Sequence, residues 1–116
     1  MTVPGRRQLR LQDQIRTELT EMIELELRDP RIGSATVTQV ELTPDLRSAR
    51  VWIAVAERGA EEGTLKGLAS AAGYLRHELS QRLNVRRVPE LSFVLDHTAE
   101  EALRIDSLLH KANKNK

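Results

Sequence analysis

Basic side chains gather after one break in the sequence. Ala71-Ala72-Gly73 is followed by Arg76, His77, Arg82, Arg86 and Arg87. Cations meet phosphates, and small residues let a sugar–phosphate backbone come close to the main chain. The pattern points to a nucleic-acid backbone as ligand. Arg76, Arg82, Arg86 and Arg87 are the candidate phosphate contacts, with Ala71, Ala72 and Gly73 as the surface of close approach. Arg6, Arg7 and Arg10 form a second-rank basic group. A structural reading stands beside this one, because cations at the end of a helix also suit its negative pole.

Catalysis has no such foothold. His77, His97 and His110 are far apart and lack metal-ligand spacing. Asp96 and His97 are neighbours in sequence, so they leave a strand end in different directions. There is no phosphate loop, dinucleotide fingerprint or nucleophile elbow. Cysteine is absent, which excludes disulfides and thiolate chemistry. No enzyme, metal or cofactor is expected. The aromatics are Trp52, Tyr74 and Phe93 alone. Trp52 alternates away from Val51 and Ile53, which places it on the exposed side, but one aromatic is no stacking platform. A nucleic acid would be held by phosphates and shape.

The elements that must position these residues follow from periodicity. Arg6 to Arg28 reads as a helix with an Ile15, Leu19, Met22, Ile23 and Leu27 stripe, ended by Asp29-Pro30. Gly33 then gives a turn. Ala35 to Leu42 reads as a strand whose alternation slips near Thr38-Gln39, the mark of a bulge. Thr43-Pro44-Asp45-Leu46 is a turn, and Ser48 to Ala56 a second strand able to pair as an antiparallel hairpin. Leu65, Leu68, Ala72, Leu75, Leu79 and Leu83 predict a helical face running to about Asn84, broken or kinked near Gly73. A glycine there costs about 1 kcal/mol relative to alanine. Packing, a kink or a closely approaching ligand must offset it. Leu91, Phe93 and Leu95 alternate as a third strand, with Phe93 in the core. Thr98 to Glu101 has the form of a capping box before a short helix carrying Ala102, Ile105, Leu108 and Leu109. The order predicts an α+β fold, α-β-β-α-α-β with an appended helix, its helices on one face of a small sheet.

Length and charge set the outer bounds. The 116 residues make one domain, with an ordered core over about 6–110 and a basic tail at 111–116. Eighteen basic and 17 acidic residues leave a net charge of +1, so only the distribution of charge is informative. No apolar run approaches the ~18 residues of a membrane span. Met1 to Leu11 has no apolar core of a secretory signal. A cytoplasmic protein is the expectation.

The first predicted helix carries Arg6, Arg7 and Arg10 at its positive pole and Glu18, Glu21, Glu24, Glu26 and Asp29 at its negative pole. Both groups oppose the macrodipole. Either the arginines face an anionic partner, or they lie in a flexible segment before the helix. The Glu24–Arg28 pair has the favourable i, i+4 orientation. The acidic cluster also supports a second class of function, a protein-interaction module using this helix half or a sheet edge.

Several of these segments together resemble one family. Leu27-Arg28-Asp29-Pro30-Arg31-Ile32-Gly33, the stretch Val37 to Leu46, Ala71-Ala72-Gly73-Tyr74-Leu75-Arg76, the stretch Leu83 to Leu91, and Arg104-Ile105-Asp106 resemble the bacterial ribosome-binding factor A family, over about Leu9 to Leu109. The resemblance implies a type II KH-like fold in which a small-residue kink, matched by Ala71 to Gly73, replaces the usual Gly-x-x-Gly loop. It implies a non-catalytic factor that binds the small (30S) ribosomal subunit and its 16S RNA late in maturation and rRNA processing. Cold adaptation, assembly GTPases acting in the same process, and a monomeric state free of membrane belong to the same expectation.

Overall fold

A computed structural model of the chain describes residues 5–27, 29–32 and 34–97. The capping box, the last predicted helix and the basic tail lie outside the described residues, as do Arg28 of the Glu24–Arg28 pair and Gly33. The elements are α1 (Arg6–Glu21), a π-type turn (Met22–Glu26), β1 (Ala35–Leu42), β2 (Ser48–Val55), α2 (Glu61–Arg82) and β3 (Glu90–Leu95). The sheet order is β1-β2-β3. The hairpin strands β1 and β2 are antiparallel, and β3 runs parallel to β2 after the crossover through α2. α1 packs on β1, and α2 packs on β3.

α1 buries Leu11, Ile15 and Leu19, and the stripe continues through Met22 and Ile23. The helix does not run on to Arg28. Leu27 donates its N–H to the Met22 carbonyl five residues back, at 2.8 Å, and then turns extended. The following turn is closed by Asp29, whose carboxylate accepts the Arg31 N–H at 2.9 Å and its guanidinium at 2.7 Å. Those Arg31 bonds hold the Asp29 carboxyl below its ordinary range. The turn delivers Ile32 onto α2 at Gly67, where a Cβ would sit 2.7 Å from Ile32 Cγ1.

In the sheet, Val37 pairs with Ile53 and Gln39 with Trp52, so Thr38 is the extra residue of a bulge. The slip lets Ala35, Val37, Val40 and Leu42 all face the core. Ala49, Val51 and Ile53 join them from β2, and Phe93 packs against them partly buried. Trp52 stands on the other face but is only partly exposed. The Arg50 guanidinium lies 5.9 Å from its ring centroid. Its indole N–H is enclosed without an acceptor among the described residues.

α2 corrects the expected break. It is one uninterrupted helix of 22 residues, not a kinked pair. Leu68 below Gly73, and Leu75 and Leu79 above it, are fully buried. Each such burial contributes about 1.5–3 kcal/mol, more than the roughly 1 kcal/mol that one glycine costs a helix. Gly73 itself is exposed, and a Cβ there would meet nothing within 4 Å. Close packing and a break in the helix are therefore removed as reasons for this glycine.

Candidate nucleic-acid interface

α2 ends at Arg82, and Leu83 is already extended. Arg86 and Arg87 thus belong to the loop before β3, not to the helix, and both are exposed. The loop is anchored from behind by buried Val88 and Pro89. Arg76 reaches across from α2 to hold it. Its Nε donates to the Pro89 carbonyl and its Nη2 to the Val88 carbonyl, each at 3.2 Å. Arg76 is accordingly first a brace for the loop that presents Arg86 and Arg87.

The loop between β1 and β2 lies alongside. Its turn closes when Leu46 N–H donates to the Thr43 carbonyl at 2.8 Å, with Pro44 at the position that favours its fixed φ. Asp45 accepts the Thr43 hydroxyl at 2.6 Å and the Arg47 N–H at 3.1 Å. Those bonds, the hydroxyl first, hold its carboxyl below the ordinary range. Leu46 has φ +61°, the one non-glycine residue with positive φ among those described. Glu90 N–H donates to the Arg47 carbonyl at 2.9 Å, which ties this loop to the start of β3.

The third contributor is the start of α1. The helix begins at Arg6, so Arg6, Arg7 and Arg10 lie within it rather than in a preceding arm. Gln8 donates to the Leu42 carbonyl at 2.7 Å, and Gln12 accepts the Leu42 N–H at 3.0 Å. These two glutamines seat the first turns of α1 against the end of β1, beside the hairpin loop.

Together the three segments enclose an open hollow of about 350 Å³ rimmed by Arg7, Arg10, Arg47, Arg86 and Arg87. None of these five forms an ion pair among the described residues. A second hollow continues past Arg87 and Arg76, and a third past Arg76 to Ala72 and Gly73. They share residues, so the three make one strip. Its carboxylates are Asp45 and Glu90.

The strip gathers Arg7, Arg10, Arg76, Arg86, Arg87, Ala72 and Gly73 from the sequence reading. It leaves out Arg6, exposed at the helix start, and Ala71, which packs against the core. It also leaves out Arg82. That guanidinium is bound by Glu18 at 3.3 Å and Glu26 at 2.9 Å, with Glu78 at 3.9 Å. The Glu26 bonds lead in raising its pKa. Arg82 thus clasps α1 to α2, and it occupies two of the acids, Glu18 and Glu26, that made the first helix look like a protein-docking face. Arg47 joins the strip without having been foreseen. Its only signal was a cation beside a tight hairpin turn.

Asp96 accepts the Thr38 hydroxyl at 2.5 Å, bridging the bulge to the end of β3. Among the described residues no group of three or more His, Cys, Asp or Glu side chains could hold a metal ion. No helix among them is long and apolar enough to cross a membrane.

An α+β domain with an antiparallel hairpin, a crossover helix and a parallel third strand has the type II KH-like layout, and five of its arginines line one hollow. The comparison with known proteins is specific. The chain belongs to the ribosome-binding factor A family, whose sequence profile matches residues 7–109. That family is a non-catalytic, ribosome-binding one. The crystal structure of ribosome-binding factor A from Thermus thermophilus is similar with a TM-score of 0.70 and 33% identity, over 76% of this chain and 93% of that one. The solution NMR structure of a Thermotoga maritima protein ascribed to the same family has a TM-score of 0.68 and 30% identity, over 81% of this chain and 91% of that one. A homology model of the Thermus thermophilus factor, fitted into a cryo-EM map of a 30S–RbfA complex, has a TM-score of 0.65 and 33% identity, over 75% of this chain and 92% of that one.

Proposed function

We propose that this chain binds the small ribosomal subunit through its 16S RNA during late maturation and rRNA processing, and that it works by binding alone. The observation that carries the reading is the convergence of unpaired arginines from three separate segments onto one strip, in a member of a ribosome-binding family. The Thermus thermophilus factor fitted into a 30S complex supports the choice of partner. Arg7, Arg10, Arg47, Arg86 and Arg87 take phosphates. Arg76 positions the loop, and Ala72 and Gly73 let the backbone approach. The protein acts as a monomeric single domain in the cytoplasm, without a cofactor, alongside the GTPases of subunit assembly.

The test is co-sedimentation with small subunits, large subunits and assembled ribosomes over a salt series. Selective binding to the small subunit that weakens as salt rises supports the reading, because counterion release makes phosphate contacts salt-dependent. Equal binding to every particle, or none, overturns it.

A further inference from the structure

We propose that the hollow between α1, the hairpin loop and the loop at 83–89 is a pocket for one unpaired nucleotide, base inward and phosphate on the arginine rim. This rests on the RNA-binding reading and deepens it. A surface that only tracks phosphates has no use for an apolar floor. Here the floor is Leu11, 7% exposed, with partly buried Leu46 and Val85 beside it. Its volume of about 350 Å³ lies at the small end of ligand pockets, which run from about 300 to 1,000 Å³. A duplex has no part that fits such a hollow, whereas an unpaired base can be splayed out and inserted.

The chemistry of the lining fits the same occupant. The rim supplies five guanidinium groups, planar cations that both pair with phosphate and stack on bases. The side-chain amides of Gln14 and Asn84 also line the hollow, each with donors and an acceptor for base edges. The Asp45 carboxylate accepts the Thr43 hydroxyl and the Arg47 N–H and forms no ion pair with a rim arginine among the described residues. Leu46 sustains a left-handed backbone that glycine or asparagine would adopt with less strain. A leucine in that conformation places an aliphatic surface in a basic rim, and such strain clusters at binding sites.

The probe is a short single-stranded RNA with one central 2-aminopurine, compared with the same strand carrying an abasic site there. One base stacked in a pocket is worth roughly a 5- to 150-fold gain in affinity. The intact strand should bind tighter by that order, and 2-aminopurine fluorescence should change on binding. Leu46→Asn, which suits the backbone but removes an apolar side of the hollow, should bring the intact strand down toward the abasic one. Val85→Ser should act in the same direction without touching the hairpin turn. Equal binding of the two strands that is still abolished by Arg86→Glu with Arg87→Glu overturns the nucleotide pocket and leaves the RNA-binding reading standing. Failure of both strands and of the small subunit to bind overturns both.

Discussion

Arg82 and the Arg86–Arg87 pair stand on either side of the end of α2, and the fold uses them in opposite ways. Arg82 faces the acids of α1 and its π-type turn and is bound by Glu18 and Glu26. Arg86 and Arg87 come after the chain has left the helix and face outward with no partner among the described residues. Three residues, Leu83 to Val85, separate a fold-holding cation from an outward-facing one. The difference lies in what the opposite element presents. Where Glu18 and Glu26 wait, the arginine closes the structure; where Leu46, Arg47 and an Asp45 already bonded to Thr43 and the Arg47 N–H wait, it leaves a basic hollow.

The largest expected effect tests the ligand-facing side. Arg86→Glu with Arg87→Glu should lower small-subunit affinity by an order of magnitude or more. It should also reduce the slope of log affinity against log salt by about 1 for each phosphate no longer neutralised. The urea midpoint should hardly move, since neither side chain forms an ion pair among the described residues. Unchanged binding with an intact fold would break the comparison at its functional end.

Two glycines on α2 repeat the contrast. Gly67 is closed in by Ile32, and Gly73 is open. Gly67→Ala should cost about 1–3 kcal/mol, because the new methyl overlaps Ile32 and the 29–32 turn must shift. Gly73→Ala should gain up to about 1 kcal/mol from helix propensity while weakening subunit binding. Urea titrations paired with co-sedimentation read both. A Gly73→Ala protein that is stabilised and binds normally would remove Gly73 from the close-approach surface.

Arg82→Gln completes the set with a smaller effect. It should lower the melting temperature by loosening α1 from α2 and leave the salt slope unchanged. A reduced slope would show that Arg82 also reaches phosphate.

How much of this was legible in sequence depends on the range of the interaction. The bulge at Thr38 was readable because alternation is local, and so was the hairpin, whose strands are separated by one proline turn. The break at Gly73 was misread because a glycine in a sequence does not say which way it faces. Only the packing of Leu68, Leu75 and Leu79 shows that the helix passes through with Gly73 outside. Arg82 was misplaced for a related reason. Its partners Glu18 and Glu26 lie 64 and 56 residues away, beyond any local pattern. Arg47 was missed because the hollow exists only when three distant segments meet. The strip itself was partly visible, since Arg7, Arg10, Arg86 and Arg87 stood out as runs of like charge.

The smallest effect concerns the loop that shapes the hollow. Asp45 has a folded pKa below its ordinary value of 3.8, because its charged form accepts the Thr43 hydroxyl and the Arg47 amide. A depressed carboxylate contributes stability that is fully present above its unfolded pKa and is lost as pH falls through the folded one. The loop should therefore hold its geometry down to about pH 4 and loosen below it. Protection of the Arg47 amide, its exchange measured against the intrinsic rate at each pH, should fall over that range before the sheet unfolds, and Asp45→Asn should show the lower protection already at neutral pH. Because Arg47 hangs from this loop, the variant should also weaken subunit binding slightly, whereas the Arg82 clasp at the far side stays intact. Protection at Arg47 that does not change with pH would mean that the turn is held by Pro44 and the Thr43 backbone bonds alone.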